Sequence, residues 1–93
     1  MKQSVKMIVG NWKMNGVAED LAGAVAEMLA DLKANPASAR VGLCPPATLI
    51  ERMARTVDGG PILVGGQDCR VEAKGAFTGG VSAEMLVDAG RRR

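Results

Sequence analysis

The sequence predicts an α/β domain in which three parallel strands alternate with three helices. Three observations carry this. The short runs Met7-Ile8-Val9-Gly10, Val41-Gly42-Leu43-Cys44 and Ile62-Leu63-Val64 stay apolar instead of alternating, as strands buried on both faces do. The segments that follow the first two runs carry apolar residues every three or four positions, the helical period. The strand starts lie about 35 and about 21 residues apart, enough for helical crossovers that return the chain parallel to itself. By pattern alone, a doubly wound flavodoxin-like sheet and a segment of a closed barrel both stay open.

The first strand is read as Val5 to Gly10, and Asn15-Gly16 closes the loop after it as a turn. Leu21, Ala24, Val25, Met28, Leu29 and Leu32 share one face, so a helix is expected from Val17 to Lys33. Glu19 and Asp20 suit its positive end and Lys33 its negative end, and Asn35-Pro36 stops it. The second strand, Val41 to Cys44, ends at Pro45-Pro46, where backbone donors are lost. Pro46 suits the first turn of the second helix, whose stripe is Leu49, Ile50, Met53, Ala54 and Val57. Asp58-Gly59-Gly60-Pro61 ends that helix, and Ile62 to Gly66 is the third strand.

Gln67 to Gly80 has no period, and loops longer than about 12–15 residues within compact domains are usually functional or disordered, which calls for a functional reading here. Ser82 is the expected N-cap of a short third helix, Ala83 to Ala89, with Val81 and Leu86 as a hydrophobic staple and Gly90 as its C-cap.

With 93 residues the chain makes one small domain at most. A domain of that size buries roughly 60–65% of its unfolded surface, so its stability is marginal. The net charge of +2, from 12 basic and 10 acidic residues, gives no case for a nucleic-acid partner. Trp12 and Phe77 are the only aromatics, so the core rests on aliphatic residues and methionine. Cys44 and Cys69 are expected as free thiols in a reducing cytoplasm. The start Met1-Lys2-Gln3-Ser4-Val5-Lys6 lacks the apolar centre of a signal peptide, and no run reaches a membrane span, so a soluble, untargeted protein is expected.

Just past the first strand the apolar run gives way to Asn11-Trp12-Lys13-Met14-Asn15, and polar groups at that end are where parallel α/β proteins place their chemistry. Trp12 and Met14 alternate with Asn11 and Lys13 and are read as packing residues. The run Val9-Gly10-Asn11-Trp12-Lys13-Met14-Asn15 closely resembles the first strand and loop of the triosephosphate isomerase family. Cys44-Pro45-Pro46, then Gly66-Gln67-Asp68 with Gly75-Ala76-Phe77-Thr78-Gly79, and finally Val81 to Gly90 extend the resemblance over almost the whole chain from Met7.

The resemblance implies an N-terminal β-α-β-α-β-α segment of a (β/α)₈ TIM barrel, so that residues 1–93 form a partial domain truncated before strand four. A whole barrel takes about 250 residues. By resemblance, Asn11 and Lys13 contact the triose phosphate substrate, and the Lys13 ammonium stabilises negative charge developing on the enediolate oxygens. The third loop of the family docks on a partner subunit, so Phe77, Thr78 and Gly79 are interface candidates, with Thr78 approaching Asn11 and Lys13 of the other chain. Phe77 on an exposed loop needs such a cover, and Gly75 and Gly79 permit tight turns. Gly80 departs from the acidic residue usual in the family, which removes whatever ion pair that residue makes. No cofactor and no metal are implied.

The family, itself a standard case of acid/base tuning, uses a glutamate base, a neutral histidine electrophile and a loop that excludes water. This sequence has no histidine, and Arg91-Arg92-Arg93 stands where the family continues toward strand four. Glu19, Glu27, Asp31, Glu51 and Glu84 belong to helix surfaces or starts and are not candidates for the base. The chain alone is therefore expected to be inactive. A second reading is an assembly module: the first and third strands would be free edges, open to a second copy or to a C-terminal complement. A small phosphate binder is the weakest reading, because no glycine-rich phosphate loop precedes a helix.

Overall fold

The structure is a computed structural model that describes residues 4–91. Met1, Lys2 and Gln3 of the N-terminal reading, and Arg92 and Arg93 of the terminal arginine run, lie outside the described residues. Strand β1 spans Met7–Asn11, β2 Arg40–Cys44 and β3 Ile62–Val64. All pairings are parallel, in the order β1-β2-β3, with Ile8 opposite Val41 and Val41 opposite Ile62. A flavodoxin-like sheet would place the first strand between the second and third. Here β2 is central, which excludes that reading and leaves β1 and β3 as edges.

A π-helical turn, Leu21–Val25, runs into helix α1, Ala26–Ala34. The regular helix therefore starts later than Val17. In the turn before it, the Asp20 carboxylate accepts the Val17 N–H at 2.8 Å and the Leu21 N–H reaches the Ala18 carbonyl at 3.1 Å. Asn35 ends α1 with ψ at 80°, out of the α region that a following proline disfavours, and its N–H still bonds the Asp31 carbonyl at 2.8 Å. Pro46 lies outside the following helix, extended at ψ 151°; a 3₁₀ turn, Ala47–Leu49, then leads into α2, Ile50–Thr56. Pro45 is fully buried. Helix α3 spans Ala83–Ala89 as expected: the Ser82 hydroxyl accepts the Met85 N–H at 3.2 Å, and Gly90 stands at the C-cap without a left-handed φ.

The core lies on one face of the sheet. Leu21, Val25, Leu43, Leu49, Met53, Val57 and Ile62 are buried together, and Trp12, Leu29, Leu32 and Val64 pack on them. Both helical stripes read from the sequence therefore face the sheet, apart from Ala24 and Met28, which stay exposed. On the other face the period of two sets Met7, Val9 and Leu63, and no layer of secondary structure among the described residues covers them.

The expectation of a doubly buried first strand is corrected here. Met7, Ile8 and Val9 are 52%, 63% and 50% exposed. The physical reason is the edge position of β1: among the described residues no strand lies on its outer side and no layer on the bare face. Met14, expected to pack, is likewise exposed.

Candidate functional site

Asn11 is the last residue of β1, and Lys13 follows in a loop where the chain turns away from the sheet. The Asn11 side-chain oxygen accepts the Lys13 N–H at 2.8 Å. That short local bond helps hold Lys13 at φ 55°, the left-handed region that costs a side-chain-bearing residue roughly 1–2 kcal/mol. Lys13 is the only non-glycine residue with positive φ among those described. Strain of this kind persists where surrounding bonds over-determine the backbone, and functional sites are where it concentrates.

The surrounding bonds come from all three strand ends. Gln67, in the loop after β3, donates through Nε2 to the Lys13 carbonyl at 2.9 Å and to the Cys44 carbonyl at 2.9 Å. Cys44, the last residue of β2, also accepts the Trp12 N–H at 3.1 Å. Asn15 closes the loop by donating to the Trp12 carbonyl at 2.9 Å. The Lys13 backbone is thus held at its N–H by Asn11 and at its carbonyl by Gln67, while its ammonium faces solvent. The Asn11 oxygen is committed to this internal bond.

Asn11 and Lys13 therefore come together at the C-terminal end of the sheet. Gln67 joins them, although its importance was not recognised from sequence. The signal was available, since Gln67 is the first polar residue past the end of the third strand, the same position rule that singled out Asn11 and Lys13.

Phe77, Thr78 and Gly79 occupy a separate place, the tip of the loop between β3 and α3. The Gly80 N–H returns to the Phe77 carbonyl at 2.8 Å, and Gly79 at φ 81° takes the position that a type II turn reserves for a residue with positive φ. Gly75 also has positive φ. No hydrogen bond joins Thr78 to Asn11 or Lys13 among the described residues. Phe77, expected to need an outside cover, is 41% exposed and partly covered from within, by the guanidinium of Arg70.

No carboxylate is hydrogen-bonded to Asn11 or Lys13 among the described residues. Glu51 pairs with Arg55 on the outside of α2, and Glu72 pairs with Arg70 at 3.0 Å in the long loop. Cys44 and Cys69 are free thiols. No group of three or more acidic, cysteine or histidine residues is placed to hold a metal ion among the described residues, and no helix there is long and apolar enough to cross a membrane. What the site offers chemically, among the described residues, is a cation on a strained, triply braced loop, with no group hydrogen-bonded to it that could move a proton.

Comparison with known proteins gives the arrangement its context. The family model for triosephosphate isomerase matches residues 6–93. The chain is 56% identical to the triosephosphate isomerase of Caulobacter vibrioides over 86 residues, covering 90% of this chain and 33% of that protein. It is 52% identical to that of a Jannaschia species, again covering 33% of the relative. In three dimensions it matches the crystal structure of triosephosphate isomerase from Bartonella henselae with a TM-score of 0.80 at 40% identity, over 91% of this chain and 34% of that one. The chain thus spans about a third of the length of the relatives it matches, and its sheet and helices are a partial, N-terminal segment of the TIM barrel. Matched by the family model over nearly all its residues and superposing on a solved member, the chain belongs to the triosephosphate isomerase family.

Proposed function

We propose that this chain supplies the charge-stabilising third of a triose phosphate isomerase site, for the glycolytic interconversion of dihydroxyacetone phosphate and glyceraldehyde 3-phosphate in the cytoplasm, and that it is inactive by itself. The observation that carries the reading is the preset Lys13: a strained residue pinned by Asn11 and Gln67 where the strands end. Proton abstraction next to a carbonyl pushes charge onto oxygen, and a fixed ammonium stabilises that charge. Asn11 and Lys13 are the substrate contacts in this reading, with Asn11 also positioning the lysine.

Inactivity follows from two features. The sequence has no histidine, and among the described residues no carboxylate is paired with Lys13 to act as base. Lys13 is also open to water, where an ion pair at 4 Å is worth about 1 kcal/mol, against about 4 kcal/mol at the effective dielectric of 20 typical near a protein surface. A complement that closes the barrel over the bare face would supply both the missing groups and the drier surroundings.

The test is to mix the chain with a separately produced C-terminal two-thirds of a relative and follow triose phosphate isomerisation, with Lys13→Ala alongside. Activity is expected only on mixing, and only with Lys13 intact. Turnover by the chain alone, or restored activity that ignores Lys13→Ala, would overturn the reading. A second reading, self-association, is favoured by the two free edges of the sheet and by the apolar residues exposed on β1. In either assembly the Phe77-Thr78-Gly79 tip is the proposed docking element toward Asn11 and Lys13 of another chain.

A further inference from the structure

The tip that displays Phe77 and Thr78 is packed by its own loop. The guanidinium carbon of Arg70 lies 3.7 Å from the centroid of the Phe77 ring, within cation-π range. The same guanidinium is held from a second side, its Nε donating to Glu72 Oε1 at 3.0 Å. The backbone of Arg70 is anchored as well: its N–H donates to the Val81 carbonyl at 2.8 Å, and residue 70 bridges to Ser82, the N-cap of α3. At the ring edge Gly75 approaches so closely that a Cβ there would stand 2.8 Å from Cε2.

Gly80 completes the arrangement by what it lacks. A Cβ at residue 80 would stand 2.8 Å from Arg70 Cδ and 3.0 Å from the Phe77 carbonyl oxygen. The arginine stem could swing aside, but only by leaving the ring. The carbonyl is backbone, and it accepts the hydrogen bond that closes the turn.

We infer that Arg70 is a positioning residue that presets the loop tip, and that Gly80 is the residue whose missing side chain makes room for it. Arg70 acts through Phe77 on the Phe77-Thr78-Gly79 turn, so the tip is formed before any partner meets it. This is a property of the chain itself and stands or falls apart from the isomerase reading, since it needs neither substrate nor complement.

The test is NMR on the 93-residue chain. Side-chain protons of Arg70 should be shifted upfield by the Phe77 ring current, and Phe77→Leu should remove the shift while the amides of α3 keep their positions. Backbone order parameters at Thr78, Gly79 and Gly80 should match the rigid value of about 0.85 and fall below about 0.6 in Arg70→Ala, with Arg70→Lys in between. Gly80→Ala should abolish the ring-current shift with Arg70 still present. Unshifted Arg70 protons in the unmutated chain, or a tip as rigid in Arg70→Ala as without it, would overturn the proposal. The ring-current measurement needs no variant, so poor folding of a mutant leaves the question decidable.

Discussion

Lys13 combines a positive φ with a charged side chain, and the two can be separated by substitution. Glycine takes the left-handed region without a Cβ clash, whereas alanine keeps the clash. Both remove the ammonium. Lys13→Gly is expected to be about 1 kcal/mol more stable than Lys13→Ala in urea unfolding, and equally unable to support complemented activity; equal stabilities would mean that the left-handed strain is not stored there. Gln67→Ala removes two hydrogen bonds, one to the Lys13 loop and one to the end of β2. Because both are partly solvated, a loss of about 1 kcal/mol is expected, together with a larger loss of complemented activity than that destabilisation explains. At the loop tip, Arg70 covers one face of Phe77 without any partner chain.

Among the elements, α3 was read to the residue and α1 was not. Ser82 acts as N-cap through a bond to the third residue of its helix, a device that works within four residues of chain. Ser82→Ala should cost about 1 kcal/mol and be visible as loss of amide protection at Met85. The start of α1 depends instead on a π-helical turn centred on Gly23, which a 3.6-residue period does not anticipate. Met53 tests the core: it is fully buried, and Met53→Ala should remove about 2–5 kcal/mol. In so small a domain that is enough to unfold most of the chain, as circular dichroism would report. The exposed Glu51–Arg55 pair is the contrast, since Glu51→Gln should shift stability by no more than about 0.5 kcal/mol.

As a whole the molecule is an open slab. Its radius of gyration is 14.3 Å, against about 12 Å for a compact domain of this length. Its accessible surface is 6943 Å², against about 5,100 Å² for a closed monomer of its mass and about 14,000 Å² unfolded. Folding therefore buries about half of the unfolded surface, less than size alone predicts. The deficit is visible at Met7, Val9 and Leu63 on the bare face and at Ile8 on the edge. Val9→Lys places a charge on that face and should shift the chain toward monomer in sedimentation velocity while blocking complementation. A variant that still complemented fully would show that the face is not where the rest of a barrel docks.

What is local was legible in the order of the amino acids. The helical stripes that became the core follow from a period of 3.6 residues, the stop at Asn35 and the start at Ser82 from backbone and side-chain chemistry within a few residues, and the family from a run of seven. The tertiary structure decided what depends on neighbours far along the chain. Gln67 reaches Lys13 across 54 residues, and no periodicity encodes that hydrogen bond. The order of the strands, which excluded the flavodoxin-like sheet, is a choice among pairings that the same apolar runs leave open. Burial of β1 was misread for the same reason: apolar character records what a strand is suited to meet, and only the assembled sheet says whether anything is there to meet it.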